Sequence, residues 1–266
     1  MEHGICKLCL KEKSICLSHL IPKAMYKYVW NQSNPPVLYT AKEIGPSDEQ
    51  LAAYLLCKDC ENGLNREGEN WLLPKLARSD GPFPFYDLVT KGTPDVVTPD
   101  YSAYAASKNP HIAFRKLTNF VLGVFWKASV HPWRQARTQP CIDLGPYRES
   151  FRKFLNHEAT FPAHTHLMLG VAPPDKTLMG FILPITKQRK PYHKYVFHIP
   201  GIVFILVVGK MMEEGWRSMC FYTDSLHPIM VCDISRDILA GIQNASRKAI
   251  KVERASRILP PQRNKV

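Results

Sequence analysis

The most regular pattern in the chain lies after Pro110. There Ile112, Phe114, Leu117, Phe120, Val121, Val124 and Phe125 recur at the three- and four-residue spacing of one helix face, which predicts a core helix. Gly145 to Asn156 predicts another, with Tyr147, Phe151, Phe154 and Leu155 on one side. From Phe161 to Asp233 the texture changes to short apolar runs, His166-Leu167-Met168-Leu169, Met179 to Leu183, Tyr195 to His198 and Ile202 to Val208, parted by proline and glycine. Such runs predict a mostly antiparallel sheet. Ile202 to Val208 is apolar on both faces and is expected to be central. A last helix is predicted near Ser235 to Val252, before a tail with Pro260-Pro261.

The N-terminal part has a different pattern. Lys13 to Ile21 alternates loosely and stops at Pro22, which reads as a strand; Asn31 to Pro36 reads as a turn and Val37 to Thr40 as the return strand. A helix is expected from Lys58 to Glu67, weakened by Gly63. Residues 74 to 101, with Gly81-Pro82-Phe83-Pro84, read as an extended connection packed by aromatics. The fold class predicted is α+β: an N-terminal module over 1–75, then helices and a mostly antiparallel sheet over 76–266.

Composition narrows the class without naming an activity. With 266 residues, 45% hydrophobic and 22% charged, the chain falls in the ordinary folded range, which excludes disordered, collagenous and coiled-coil proteins. Internal repeats are absent. The longest uncharged apolar run, Tyr195 to Gly209, is 15 residues with Pro200 and Gly201 inside it, short of the roughly 20 that a spanning helix needs. No membrane association is expected. The start, Met1-Glu2-His3-Gly4, lacks a secretory pattern, so a cytoplasmic location is expected.

Eight cysteines in a reducing compartment point to metal ligation or burial rather than disulfides. Cys6 and Cys9 form one C-x-x-C pair and Cys57 and Cys60 a second. Two tight thiolate pairs suit a tetrahedral, structural Zn²⁺, each clasping two corners of the ion. Two unrelated core pairs or a redox dithiol are the alternatives. Cys16 is expected to be a small buried residue.

Between and beyond the pairs stand Ser18-His19-Leu20-Ile21-Pro22 and Cys60-Glu61-Asn62, with Asn65 further on. This combination resembles the HNH, or ββα-metal, endonucleases, in particular the subset braced by a four-cysteine zinc in a treble-clef arrangement. The resemblance covers about residues 5 to 70. It implies that His19 is the general base that activates water against a phosphodiester, and that one Mg²⁺ or Mn²⁺ ion holds the scissile phosphate. A neutral imidazole, with an ordinary pKa near 6.5, suits that role. The family usually places aspartate before this histidine, whereas this chain has Ser18, so the ion needs a carboxylate from elsewhere. Glu61 offers one. Asn65, four residues on, shares its helix face, and such oxygen donors suit hard ions better than zinc. Asn62 competes with Asn65, and Glu67 or Glu69 could enter the site. The family's middle asparagine has only Asn31 and Asn34 as candidates by location.

The formal charge of +12 suggests a polyanionic partner, expected to be nucleic acid and DNA first. Residues 1–75 carry nine basic and nine acidic side chains; the surplus is +6 in 76–235 and +6 in the short stretch 236–266. Arg247, Lys251 and Arg254 recur along the predicted terminal helix, and Arg189 and Lys190 lie in a basic cluster between two predicted strands. Both groups are candidate nucleic-acid contacts, and both could equally be solvated faces. HNH modules fused to other regions resemble nucleases of anti-phage and mobile-element systems, which implies a regulatory protein partner. A zinc-containing module that binds nucleic acid or protein without cutting is the alternative.

Overall fold

The structure is a computed structural model that describes residues 2–29, 37–39, 44–46, 50–78, 81–133, 141–188, 190–211, 217–222, 226–236 and 239–240, with backbone only for 37–39 and 44–46. It is an α+β chain in which a small sheet near the N-terminus and a larger one downstream share a core with the helices between them.

The small sheet has the order β1-β2-β5 and is antiparallel: β1 is Glu2–Ile5, β2 Glu12–His19 and β5 Ala52–Cys57. The strand predicted from Lys13 is β2, ending at His19, just before the Pro22 stop. Its expected return partner is not Val37 to Thr40. Val37–Tyr39 (β3) pairs with Ile44–Pro46 (β4), while β2 pairs with β5 in a register that sets His19 opposite Ala52 and Ile15 opposite Cys57. The reason lies in the second cysteine pair, because a strand that ends at Cys57 delivers it beside the first knuckle. A short helix, α1 (Lys23–Val29), follows β2.

From Cys57 the chain turns directly into a helical rod. It begins as α2 (Lys58–Leu64), runs as a π-helix over Asn65–Glu69, and continues through α3 (Asn70–Leu72) into a 3-10 turn at Leu73–Lys75. The expected helix is therefore present and longer than its pattern. Single π turns of this kind recur at functional sites. Along an α-helix, residue i+4 overshoots a full turn by about 40°. The wider π turn leaves i+4 short of one, so the steps from Glu61 to Asn65 and from Asn65 to Glu69 offset each other.

The expected extended connection after residue 74 contains a helix, α4 (Pro84–Val89), with Pro84 at its first position, where a missing N–H is harmless. The two predicted core helices are α5 (Phe114–Val130) and α6 (Tyr147–Leu155). Among the described residues the large sheet has seven strands: β6 (Val96–Val97), β7 (Tyr101–Ala105), β8 (Thr165–Val171), β9 (Ile182–Gln188), β10 (His193–Ile199), β11 (Ile202–Val208) and β12 (Pro228–Cys232). Their order is β6-β7-β12-β8-β11-β10-β9, all antiparallel except β12 against β8. The Ile202–Val208 strand is interior, as its two apolar faces require, and β8 is the middle strand. The first two strands of this sheet come from before residue 161, earlier than the texture predicts.

Helix α5 sits at the centre. Leu117, Phe120, Val121, Val124 and Phe125 are buried, with Phe125 and Phe120 against Phe197 of β10. Its other side takes the helical rod at Gly68. A Cβ there would lie 2.8 Å from the Phe120 backbone nitrogen, so only glycine permits this approach. Buried residues on both sides of residue 75 join in one hydrophobic core. Among the described residues, no helix is long and apolar enough to cross a membrane.

Candidate functional site

Two features lie on the small sheet, and the same few residues build both. The first is a cysteine cluster. Cys6 and Cys9 occupy the turn between β1 and β2, where Cys6 N–H donates to the Lys11 carbonyl (3.0 Å) and Leu10, in the left-handed region (φ 60°), donates to the Cys6 carbonyl (2.9 Å). Lys7 N–H donates to the Leu55 carbonyl (3.1 Å), which sews this turn to β5. Cys57 ends β5 and Cys60 lies in the first turn of α2. All four sulfurs lie within 4.8 Å of one another, with Cys9 and Cys57 Sγ 4.0 Å apart. Zn–S bonds of about 2.3 Å imply sulfur separations of about 3.8 Å in a tetrahedron, so the four cysteines could hold a metal such as zinc. Burial, and then its sulfur neighbours, push the Cys60 thiol far up, and burial raises Cys6. Four thiolates thus need a cation among them. Cys16 lies outside the cluster and donates to the Leu56 carbonyl (3.2 Å).

The first knuckle is also gripped from a distance. Arg152 of α6, 6% exposed, donates through Nη1 to the Leu8 carbonyl (2.7 Å) between the two cysteines. Glu149 and Glu158 hold the other guanidinium nitrogens, and Arg152 in turn, with Asn156, pulls the exposed Glu158 carboxyl down to about 2.

The second feature is a cavity of about 240 Å³ where β2 ends beside the rod, lined by His19, Pro22, Lys23, Glu61, Asn65 and Glu69 among others. His19 is half-buried. Burial first, then the Lys23 charge, lower its pKa, while a side-chain hydrogen bond to Gln50 opposes them. The imidazole is therefore held neutral and oriented at once. Ser18, fully buried, donates its hydroxyl to Glu61 Oε2 (2.7 Å) and fixes that carboxylate at the cavity. Asn65 Oδ1 is buried and accepts no hydrogen bond. An orphaned amide oxygen beside a fixed carboxylate is a donor set that suits a hard cation. Among the described residues, the cysteines are the only group of three or more His, Cys, Asp and Glu that closes to 4.8 Å.

Beneath this cavity lies Lys127 of α5, 2% exposed, with Nζ 3.0 Å from the His19 carbonyl and 3.2 Å from Glu69 Oε1. Phe120 and Lys127 are seven residues apart, hence on one face of α5. The close approach at Gly68 thus brings the lysine within reach of the rod.

The structure gathers the predicted residues His19, Glu61 and Asn65 at one cavity, with Glu69 beside them. Neither Asn62 nor Glu67 lines it. Gln50, just before β5, holds the histidine side chain; Asn31 and Asn34, the candidates by location, lie outside the described residues. Sequence spacing gave no sign of Lys127. Gln50 precedes the apolar run into the second knuckle, and that position was the available signal. Of the basic candidates, Arg189, Arg247, Lys251 and Arg254 lie outside the described residues; Lys190 is exposed at the turn between β9 and β10. No protein-family model, curated protein or solved structure matches the chain.

Proposed function

We propose that this chain is a metal-dependent endonuclease of HNH type that hydrolyses nucleic-acid phosphodiester bonds, its ββα-metal module braced in treble-clef fashion by a zinc at Cys6, Cys9, Cys57 and Cys60. One observation carries the reading: His19 at a strand end shares a cavity with Glu61 and with an Asn65 oxygen that lacks a donor, beside the four cysteines.

In this reading His19 takes a proton from the attacking water. Its lowered pKa keeps it neutral at cellular pH, and Gln50 holds the ring in place. Glu61 and Asn65 are the residues that would hold Mg²⁺ or Mn²⁺. Such an ion, when bound, neutralises phosphate charge and stabilises the leaving oxygen. Ser18 replaces the usual aspartate and acts at one remove, orienting Glu61. Lys23, exposed at the cavity rim, attracts the phosphate backbone. The basic C-terminal segment would hold the substrate, DNA in the first instance, and a regulatory partner would restrain cutting.

The test is cleavage of plasmid and single-stranded DNA with Mg²⁺ or Mn²⁺, comparing the wild type with His19→Ala and Glu61→Ala. Loss of a general base should slow cutting by about a hundredfold or more. A wild type that cuts with neither ion, or a His19→Ala that cuts equally well, overturns the reading. Binding without cutting would then point to a non-catalytic zinc-containing module, the role that the absence of an aspartate at Ser18 favours.

A further inference from the structure

A lysine within a buried stretch of helix needs partners for its ammonium group, because an unpaired charge is strongly disfavoured away from water. Around Lys127, residues Val124, Phe125, Trp126 and Ala128 are all buried. Among the described residues, the two partners of Lys127 Nζ both belong to the cavity: the His19 carbonyl (3.0 Å) and Glu69 Oε1 (3.2 Å). The peptide group joining His19 to Leu20 is consequently held at both ends, since Leu20 N–H donates to the Leu51 carbonyl (2.9 Å). The lysine's own backbone is pinned as well, with Trp133 Nε1 donating to the Lys127 carbonyl (2.8 Å).

We infer that Lys127 is a positioning residue for the proposed cleavage: a buried cation on α5 that locks the His19–Leu20 peptide and the Glu69 carboxylate into one arrangement, so that His19 faces the oxygen donors of the rod. Its catalytic consequence rests on the nuclease reading, whereas its effect on the His19 ring does not. A lysine retained only for stability could be exchanged, together with Glu69, for uncharged groups of similar size without disturbing the site.

The full-length chain is compared as wild type, Lys127→Met, Glu69→Gln and the double variant. Lys127→Met leaves the largely covered Glu69 carboxylate without its partner and melts several degrees lower. The double variant recovers the wild-type melting temperature. Its kcat should nevertheless stay about tenfold to a hundredfold below that of Glu69→Gln alone, with KM within about twofold, because misplacing a catalytic group acts on the chemical step. The His19 ring resonances, assigned by their loss in His19→Ala, should move in the double variant beyond any change in Glu69→Gln. If kcat and the ring resonances of the double variant both match Glu69→Gln, Lys127 is structural only and the inference falls. If the wild type cuts no nucleic acid, the nuclease reading fails by itself and the ring resonances decide alone: displaced signals keep Lys127 as the residue that positions His19, and unmoved signals overturn it.

Discussion

The hydroxyl of Ser18 donates to Glu61 Oε2 at 2.7 Å, joining the end of β2 to the first turns of α2. The residue before the histidine thereby acts on the cavity through a second side chain. Removing that hydroxyl in Ser18→Ala frees the Glu61 carboxylate to rotate. Supports of this kind commonly contribute ten- to a hundredfold in metal affinity, so under the proposed function Mn²⁺ should bind about tenfold more weakly while any zinc held by the four cysteines stays unchanged. Manganese titration followed by paramagnetic resonance measures the first and elemental analysis the second. Equal Mn²⁺ affinity in both proteins would mean that Glu61 needs no such support.

The two glycines of the rod should respond to alanine with opposite signs. Around Gly63 a Cβ meets nothing within 4 Å, so Gly63→Ala gains helix propensity and should stabilise by about 0.5–1 kcal/mol. At Gly68 the added carbon would lie 2.8 Å from the Phe120 nitrogen and 2.9 Å from its Cα, and backbone cannot yield as a side-chain tip can. Overpacking of about 1–3 kcal/mol should outweigh the same propensity gain. Urea midpoints of the two variants check this. Stabilisation by Gly68→Ala would show that the rod and α5 can separate freely.

Acid should weaken the fold through His198. This side chain, 1% exposed on β10, has one ring nitrogen without a partner, and burial pushes its pKa down to about 4 against a partial offset from the Gly180 backbone. The folded form keeps the ring neutral where the unfolded chain, titrating near 6.5, binds a proton. Stability is therefore complete above pH 6.5 and declines as pH falls towards 4, by ~3 kcal/mol at about 1.4 kcal/mol per unit. His19, His131 and His166 are shifted in the same direction. The pH dependence of the urea midpoint in His198→Gln isolates the one group. A slope unchanged from wild type between pH 6.5 and 4 would exclude His198 as the cause.

How much of this could be read in advance depends on whether a feature is local. The cysteine pairs, the histidine before Leu-Ile-Pro and the apolar face of α5 are local signals, and each lands where its spacing puts it. β5 is different. Ala52, Ala53, Leu55 and Leu56 favour a helix by themselves, and the strand exists because β2 and the first knuckle supply its partners. The parallel pairing of β12 with β8 is likewise set by tertiary packing. Lys127 was invisible for the same reason: a lysine in the last turn of a helix reads as a solvated end group until Glu69 and the His19 carbonyl are brought to it.

Contacts that cross from the first 75 residues to the rest include Arg152 with the Leu8 carbonyl, Lys127 with the His19 carbonyl, and Gly68 against the Phe120 backbone. Each supplies something that residues 1–75 lack, two hydrogen-bond donors and one closely fitting surface. A protein assembled by grafting this segment onto a foreign scaffold would inherit the cysteines and the histidine. It would also carry two carbonyls stripped of their donors and a glycine groove with no helix to fill it. The segment is thus poorly suited to exchange between proteins, and changes at the knuckle and changes in α5 and α6 are expected to constrain one another.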